Sequence, residues 1–184
     1  MHKLRDASGD TEEDLKRQIE NVSLLGRVYV LGLGNTDRAD DGAGVLIAEA
    51  LKKRFPSFSY SEHDGIEGTV LDISEKREDA VVLFVDAADL HLKPGTIRLI
   101  AADKIKETEI TTHRVAVALM ASMLERAGKR TAVICIQPKN IVFQGKVTPP
   151  VRKAIDALVT ALSEIMYARS RQFPSEANGK ALCE

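Results

Sequence analysis

The sequence predicts a single α/β domain of three layers, in which helices cover both faces of a mostly parallel sheet. Five apolar runs typical of strands alternate with segments whose apolar residues recur at helical spacing. This alternation favours parallel pairing of the strands. The chain has 184 residues, enough for one domain with a sizeable core but too few to favour a second one.

Residues 1–26 form a charged N-terminal extension before the first predicted strand. Thr11, followed by Asp14 three positions later, has the spacing of a capping box and predicts the start of a helix. We expect the apolar stripe of this helix to pack on the rest of the domain, rather than to form a partner surface. The stripe consists of Leu15, Ile19 and Val22.

Two predicted strands and one helix follow the extension. Residues 28–33 are an apolar run rich in β-branched side chains, which is typical of a buried strand. Apolar residues at helical spacing predict a helix over 43–55, and Pro56 ends it. A second strand begins at residues 58–60.

The middle of the chain predicts the centre of the sheet. A glycine-bearing loop over 63–69 leads into a short helix that contains Val70. The unbroken apolar run 80–85 predicts a central strand that ends at Asp86. A Lys-Pro-Gly turn then precedes a short strand over 96–100.

The link between strand 80–85 and strand 96–100 is too short for a parallel crossover. It runs from Asp86 to Gly95, whereas parallel neighbours need a dozen or more connecting residues. We therefore expect strand 96–100 to run antiparallel at an edge of the sheet.

The last third of the chain predicts two helices and one strand. Thr111 or Thr112 is placed to cap a helix from His113 to about Ala127, and 131–136 reads as the last strand. Thr148, followed by two prolines, is placed to cap a long final helix. The predicted domain covers 27–168, and 169–184 reads as a polar tail.

Composition argues against several classes of partner. The net charge of −1 and the even spread of lysine and arginine give no attraction to nucleic acid. Two cysteines, Cys135 in an apolar run and Cys183 near the C-terminus, cannot form a disulfide framework. No apolar stretch resembles a signal peptide or a membrane span, so a cytoplasmic protein without membrane insertion is expected.

Three polar side chains are expected to meet at the carboxyl edge of the parallel strands. Asp41 follows the first strand and Asp86 follows the central one. His113 begins a helix that must descend to the last strand, so its start lies at the same edge. Two carboxylates and an imidazole can hold a divalent transition metal with positions left open for water or substrate.

Simpler interpretations exist for each of these residues. Asp40 or Asp41 is placed to cap the next helix, and Asp86 to close an Asx turn. His113 alone is typical of a solvated or capping side chain. The expected convergence of the three favours the functional interpretation.

Nucleotide binding is disfavoured by the loop after the first strand. Its sequence, Gly32-Leu33-Gly34-Asn35-Thr36-Asp37, has an aspartate where the dinucleotide fingerprint needs its third glycine. The acidic loop would also repel a pyrophosphate. A serine nucleophile elbow is absent.

Five motifs in order resemble the maturation endopeptidases of nickel-iron hydrogenases, in particular the type associated with formate-hydrogenlyase-like and membrane-bound enzymes. The resemblance covers about residues 27–165. The motifs are Gly34-Asn35 with Asp40-Asp41-Gly42-Ala43-Gly44, Val85-Asp86-Ala87-Ala88-Asp89, Lys93-Pro94-Gly95-Thr96, Thr111-Thr112-His113 and Ile136-Gln137-Pro138.

The resemblance implies a twisted five-stranded sheet and a peptidase that removes a C-terminal extension from the hydrogenase large-subunit precursor after nickel insertion. The family's metal-contacting positions fall on Asp41, Asp86 and His113, and Asp64-Gly65 matches a loop linked to substrate discrimination. It also implies that the substrate carries the nickel, so that the resting protein needs no metal. A monomer is expected.

The residues leave the mechanism and two other functions open. Nickel bound by Asp41, Asp86 and His113 could polarise the scissile carbonyl or activate water, or an unligated Asp41 or Asp86 could act as general base. The alternatives to the peptidase are a metal-dependent hydrolase of small amides and a non-catalytic protein that checks nickel loading.

Overall fold

The computed structural model describes residues 12–102, 104 and 114–173. Within these residues the chain contains five helices, five strands and two single-turn 3-10 helices, at Ala39–Gly42 and Glu62–Asp64. In chain order the elements are α1 (Glu12–Ser23), β1 (Arg27–Gly32), α2 (Ala43–Lys52), β2 (Ser59–Ser61), α3 (Ile66–Glu75), β3 (Ala80–Ala87), β4 (Ile97–Ala101), α4 (Arg114–Arg126), β5 (Arg130–Ile136) and α5 (Pro149–Gln172).

The strands form one sheet in the order β2-β1-β3-β5-β4. β1 pairs in parallel with β2 and β3, and β3 pairs in parallel with β5. β4 lies at an edge and runs antiparallel to β5. The mostly parallel sheet and its antiparallel edge strand are therefore confirmed, and the short link before β4 is the physical reason for the reversal.

Helices cover both faces of the sheet, which confirms the three-layer prediction. Side chains alternate along β3, so Val81, Leu83 and Val85 join the apolar cluster under α1, α2 and α5. Val82 and Phe84 join the cluster under α3 and α4 on the opposite face. No helix among the described residues has the length and apolarity needed to cross a membrane.

The N-terminal helix α1 packs on the domain, as its apolar stripe predicts. Ile19 is fully buried, and Leu15 and Val22 pack against the same cluster. Lys16 on α1 also forms a 2.5 Å salt bridge with Glu164 on α5. Thr11, the expected cap, lies outside the described residues.

Several element boundaries differ from the sequence prediction. α2 ends at Lys52, although the helix was expected to continue to residue 55. β3 continues to Ala87 because Asp86 and Ala87 still pair with β5, so Asp86 lies within the strand. α3 already begins at Ile66, although a loop to residue 69 was expected. α5 continues past the predicted end at 168 to Gln172, and the Arg27 guanidinium donates a hydrogen bond to the Phe173 carbonyl at 2.5 Å.

The helix expected from His113 is present as α4, described from Arg114. Val117, Ala121 and Leu124 are its fully or almost fully buried positions against the sheet. His113 itself and the expected caps, Thr111 and Thr112, lie outside the described residues.

Helix α2 approaches the sheet closely at Gly44. A Cβ on this residue would lie 2.1 Å from the Val85 carbonyl oxygen and 2.4 Å from that of Leu33. Both contacts are with backbone atoms, which cannot move without disturbing β3. Glycine at this position therefore lets the first turn of α2 lie against the ends of β1 and β3.

We expect Gly44→Ala to lower the free energy of unfolding by about 1–3 kcal/mol, because the new methyl group overpacks against strand backbone. Urea denaturation would measure the loss. Gly68→Ala in α3 is the matched control: nothing lies within 4 Å of its added Cβ, so helix propensity should make it neutral or stabilising by up to about 1 kcal/mol. Equal stabilities for the two variants would contradict the close approach.

Candidate active site

The sheet has a switch point at the carboxyl ends of β1 and β3. From β1 the chain crosses to β2 on one side, whereas β3 lies on the other side of β1. Open α/β sheets hold their ligands in the crevice that such a reversal creates. β1 ends at Gly32, which pairs with Val85, whereas β3 continues to Ala87. The Leu33 N–H donates to the Val85 carbonyl at 2.8 Å. Asp41 and Asp86 belong to the segments at this edge.

Asp86 is fully buried near the C-terminal end of β3, where this strand still pairs with β5. Its register partner on β5 is Cys135, and the alternation along β3 places both residues on the face covered by α3 and α4. Burial of a carboxylate is costly and is rarely retained without a specific role. Its position at the switch point favours a role in the chemistry of this edge.

Asp41 lies in the 3-10 turn between β1 and α2 and is only 8% exposed. Its Oδ2 accepts a hydrogen bond from the Asn35 N–H at 3.2 Å. Gly34 has a φ of +124°, and a Cβ there would lie 1.9 Å from the Asp41 carbonyl oxygen. The loop therefore folds back on itself and holds Asp41 above the end of β1.

The capping interpretation of Asp40 and Asp41 is wrong. Gly42 occupies the N-cap of α2 and provides no side-chain hydrogen bond to it. Both residues lie in the 3-10 turn, before the helix begins. Their carboxylates accept hydrogen bonds from other groups, Asp41 from the Asn35 N–H and Asp40 from Thr148.

Asp40 binds a distant loop. Its Oδ1 accepts the Thr148 N–H at 2.7 Å, and its Oδ2 accepts the Thr148 hydroxyl at 2.9 Å. Oδ2 also accepts the N–H groups of Lys139 and Asn140, at 2.8 and 3.1 Å. The carboxylate is fully buried. It thus joins the loop that carries Asp41 to the segment between β5 and α5.

This role of Asp40 was missed from the sequence. Thr148 was expected to cap α5, and it does stand at the N-cap position, but its side chain makes no capping hydrogen bond. Its hydroxyl donates to Asp40 instead. An Asp-Asp pair after a strand and a lone threonine before two prolines offer no local signal that they meet.

His113, the third expected ligand, lies outside the described residues, so its meeting with Asp41 and Asp86 stays a prediction. No three His, Cys, Asp or Glu side chains are grouped to hold a metal ion in the described part of the chain. Carboxylates and an imidazole remain a suitable donor set for a divalent transition metal.

Cys135 is excluded as a nucleophile. Burial, together with the neighbouring Asp86 carboxylate, raises the pKa of its thiol to about 12. The reactive thiolate is therefore absent near neutral pH. Among the described residues this leaves the carboxylates as the candidate groups for chemistry at the switch point.

Asp64 and Gly65 lie at the same carboxyl edge, after β2. Asp64 forms a 2.5 Å salt bridge with Lys52 on α2 and accepts the Ser61 N–H at 2.9 Å. Partial burial raises the pKa of the Asp64 carboxyl, but the hydrogen bonds from Lys52 and Ser61 outweigh it and hold the pKa below its usual value. Gly65 has a φ of +75° and ends this turn, and a Cβ added to it would have no neighbouring group within 4 Å.

Gln137 shapes the other side of the edge. Its side-chain oxygen accepts the N–H groups of Leu90 and Leu92 at 2.7 and 3.2 Å. Its amide donates to Asp89 Oδ1 at 3.3 Å. The loop after β3 is therefore fixed by Gln137, which directly follows β5. In the sequence Gln137 was noted only as part of the Ile136-Gln137-Pro138 motif, and its contacts with this loop were not predicted.

Comparisons with known proteins point to one family. The model of the HycI hydrogenase maturation proteases matches residues 45–165, a span that contains Asp64, Asp86 and His113 and begins just after Asp41. The hydrogenase 3 maturation protease of Escherichia coli K12 is 32% identical over 136 residues, which cover 72% of this chain and 86% of that protein. The hydrogenase expression/formation protein HupD of Bradyrhizobium diazoefficiens is 29% identical over 150 residues, covering 76% and 78% of the two chains.

Solved structures agree in fold. The crystal structure of a [NiFe] hydrogenase maturation protease HycI from Thermococcus kodakarensis has a TM-score of 0.68 at 26% identity, over 82% of this chain and 99% of that one. The solution structure of the endopeptidase HycI from Escherichia coli has a TM-score of 0.61 at 27% identity, over 75% and 90%. The resemblance noted in the sequence is thereby confirmed.

We expect Asp40→Asn to lower the free energy of unfolding by about 3 kcal/mol. An amide keeps one acceptor oxygen and turns an NH2 group towards backbone donors, so at least one buried N–H loses its partner. Thermal and urea denaturation would measure the loss. Asp37→Asn, an exposed change in the same loop, should stay within about 0.5 kcal/mol of the parent. If Asp40→Asn lowered the stability no more than Asp37→Asn does, this would contradict the hydrogen bonds between Asp40 and the segment before α5.

We expect Lys52→Gln to raise the pKa of the Asp64 carboxyl towards its usual value, because the amide cannot stabilise the charged form as an ammonium does. A carbon-detected NMR titration would measure the change, with the exposed neighbour Lys53→Gln as control. Since the folded state has the lower pKa, this stabilisation is complete above the unfolded pKa and is lost as the pH falls through the folded one. An unchanged Asp64 pKa in Lys52→Gln would contradict the salt bridge.

Proposed function

This chain belongs to the hydrogenase maturation protease family and is a hydrolase, and we propose that it removes a C-terminal segment from the nickel-loaded large-subunit precursor of a nickel-iron hydrogenase. The observation that carries the proposal is the pair of buried carboxylates, Asp41 and Asp86, at the switch point of the sheet. In a member of this family that crevice is the natural place for the scissile segment.

The metal in this proposal belongs to the substrate. Asp41, Asp86 and His113 provide oxygen and nitrogen donors that suit a divalent transition ion. A nickel ion held by the precursor would gain these donors as it docks, which brings the neighbouring peptide bond to the crevice. A precursor without nickel lacks this link and should not be positioned for cleavage.

The hydrolytic step adds one water molecule across the amide. The water oxygen bonds to the carbonyl carbon, the C–N bond breaks, and the departing amine takes a proton. Nickel can polarise the carbonyl or acidify the water. Asp41 or Asp86, if not bound to nickel, can accept the proton of the attacking water as a general base. In either route Asp41 or Asp86 acts at this edge, as a ligand of the nickel ion or as the base.

The proposed setting is the cytoplasm, with a single copy of this chain acting on each precursor. The free thiol of buried Cys135 is in keeping with a reducing compartment. Asp64 and Gly65, one strand away from the crevice, are proposed to contact the precursor and to contribute to its selection.

Mass spectrometry of a cognate large-subunit precursor, nickel-loaded or nickel-free, tests the proposal directly. We expect incubation with the protein to release one discrete C-terminal peptide from the loaded form only. Asp41→Asn and Asp86→Asn should each slow the release by about 100-fold or more, because either change removes a charged ligand or base. Asp37→Asn, exposed in the same loop, should cleave like the parent.

Failure to cut a cognate, loaded precursor would overturn the peptidase assignment. Tight binding of that precursor without cleavage would then indicate a protein that only checks nickel loading. A tightly bound metal in the free protein, with turnover of small amides, would indicate a hydrolase of another kind.

A further inference from the structure

Three consecutive large apolar side chains are exposed beside the candidate site. Ile141, Val142 and Phe143 are 40%, 63% and 65% exposed. Isolated exposed apolar residues are ordinary, but a contiguous group indicates an interaction surface. We call these three residues the apolar platform.

The platform is held firmly in this exposed position. On its N-terminal side, the Asp40 carboxylate accepts the backbone N–H groups of Lys139 and Asn140. On its C-terminal side, the Gln144 N–H donates to the Asp37 carbonyl at 2.6 Å. These contacts hold the backbone on both sides of the three apolar side chains, which are exposed in this arrangement.

Backbone strain marks the same junction. Ala39 and Gln144 have φ values of +48° and +55°, a region that side-chain-bearing residues rarely adopt. Ala39 lies on the loop between β1 and α2 that carries Asp41, which we call the site loop. Gln144 directly follows the platform. Strain of this kind persists where surrounding contacts hold a functional conformation.

Continuity with the site suggests which partner covers the platform. Asp40, which holds the platform, is the neighbour of Asp41 in the chain, and Arg38 bridges to Gly145. A peptide reaching Asp41 therefore passes close to the platform. No other element of the described chain covers the three side chains.

The charges around the platform define the chemistry of that peptide further. Lys139 and Lys146 flank it in sequence and Arg38 lies across the bridge, all three exposed. Asp37 is the one exposed acid of the adjoining site-loop segment 35–38. The excess of positive charge favours an apolar stretch with a carboxylate beside it.

We propose that Ile141, Val142 and Phe143 dock an apolar, acid-flanked stretch of the precursor next to the bond that is cut. The identity of the partner rests on the proposed function, whereas the docking surface rests on the exposure and fixation of the loop. Because the platform is preorganised, docking does not require the loop to be ordered, and it contributes mainly to affinity.

The first test uses the double change Val142→Ser with Phe143→Ser in the full chain. Both side chains are exposed, so the fold should remain intact, which circular dichroism and thermal denaturation check. With nickel-loaded precursor we expect KM to rise roughly tenfold or more while kcat stays within about twofold. The matched control is Leu24→Ser with Leu25→Ser, about half exposed just before β1 at the opposite edge of the sheet, which should leave KM unchanged.

A binding measurement separates this inference from the proposed function. Biolayer interferometry with nickel-free precursor reports affinity without cleavage, and the platform variant should bind roughly tenfold more weakly than the parent or the control. Raised salt should weaken binding by the parent as well. If the parent binds but does not cut loaded precursor, the proposed function fails, while a weaker platform variant still supports docking.

Three outcomes would overturn the docking surface. Unchanged KM and affinity in the platform variant would show that the precursor does not cover it. A fall in kcat with unchanged KM would show that the loop acts on the chemistry. A loss of self-association, seen by sedimentation while precursor affinity is kept, would assign the platform to a second copy of this chain.

Discussion

The buried carboxylate of Asp40 is the contact on which the arrangement of the candidate site depends. It satisfies three backbone N–H groups and one hydroxyl from a segment that lies about a hundred residues later in the chain. Charge-assisted bonds of this kind are strong, and a buried donor left without its acceptor is costly. One side chain therefore fixes the site loop, the start of α5 and the loop that carries the apolar platform.

The adjacent residues Asp40 and Asp41 form hydrogen bonds with different segments of the chain. The Asp40 carboxylate accepts hydrogen bonds from the segment between β5 and α5. The Asp41 carboxylate accepts one from the Asn35 N–H, within the loop between β1 and α2. Gly44 lets helix α2 lie on the ends of β1 and β3, which brings Asp41 to the edge where Asp86 lies buried. Asp86 is held by the sheet, and Asp41 is held by the loop that the hydrogen bonds of Asp40 join to the segment between β5 and α5. Sites built in this way hold their groups accurately without large motions.

In the proposed function, the precursor brings the metal ion to the site. The carboxylates of Asp41 and Asp86 would provide oxygen ligands to that ion as the precursor docks. The platform would add affinity from a neighbouring apolar stretch, so that ion and peptide are recognised together. Recognition by two separate contacts gives selectivity that neither the charged crevice nor the apolar loop provides alone.

The sequence by itself determined the elements, the three layers, the antiparallel edge strand and the placement of Asp41 and Asp86 at one edge. These follow from side-chain periodicity and connection length, which are local properties of the chain. Only the tertiary structure decided that β3 extends through Asp86, that Asp40 binds Thr148 rather than capping α2, and that Phe143 is exposed. Strand length depends on the neighbouring strand, and a partner 108 positions away leaves no periodic trace in the sequence. Those outcomes therefore depend on packing, which brings distant segments together after the local elements have formed.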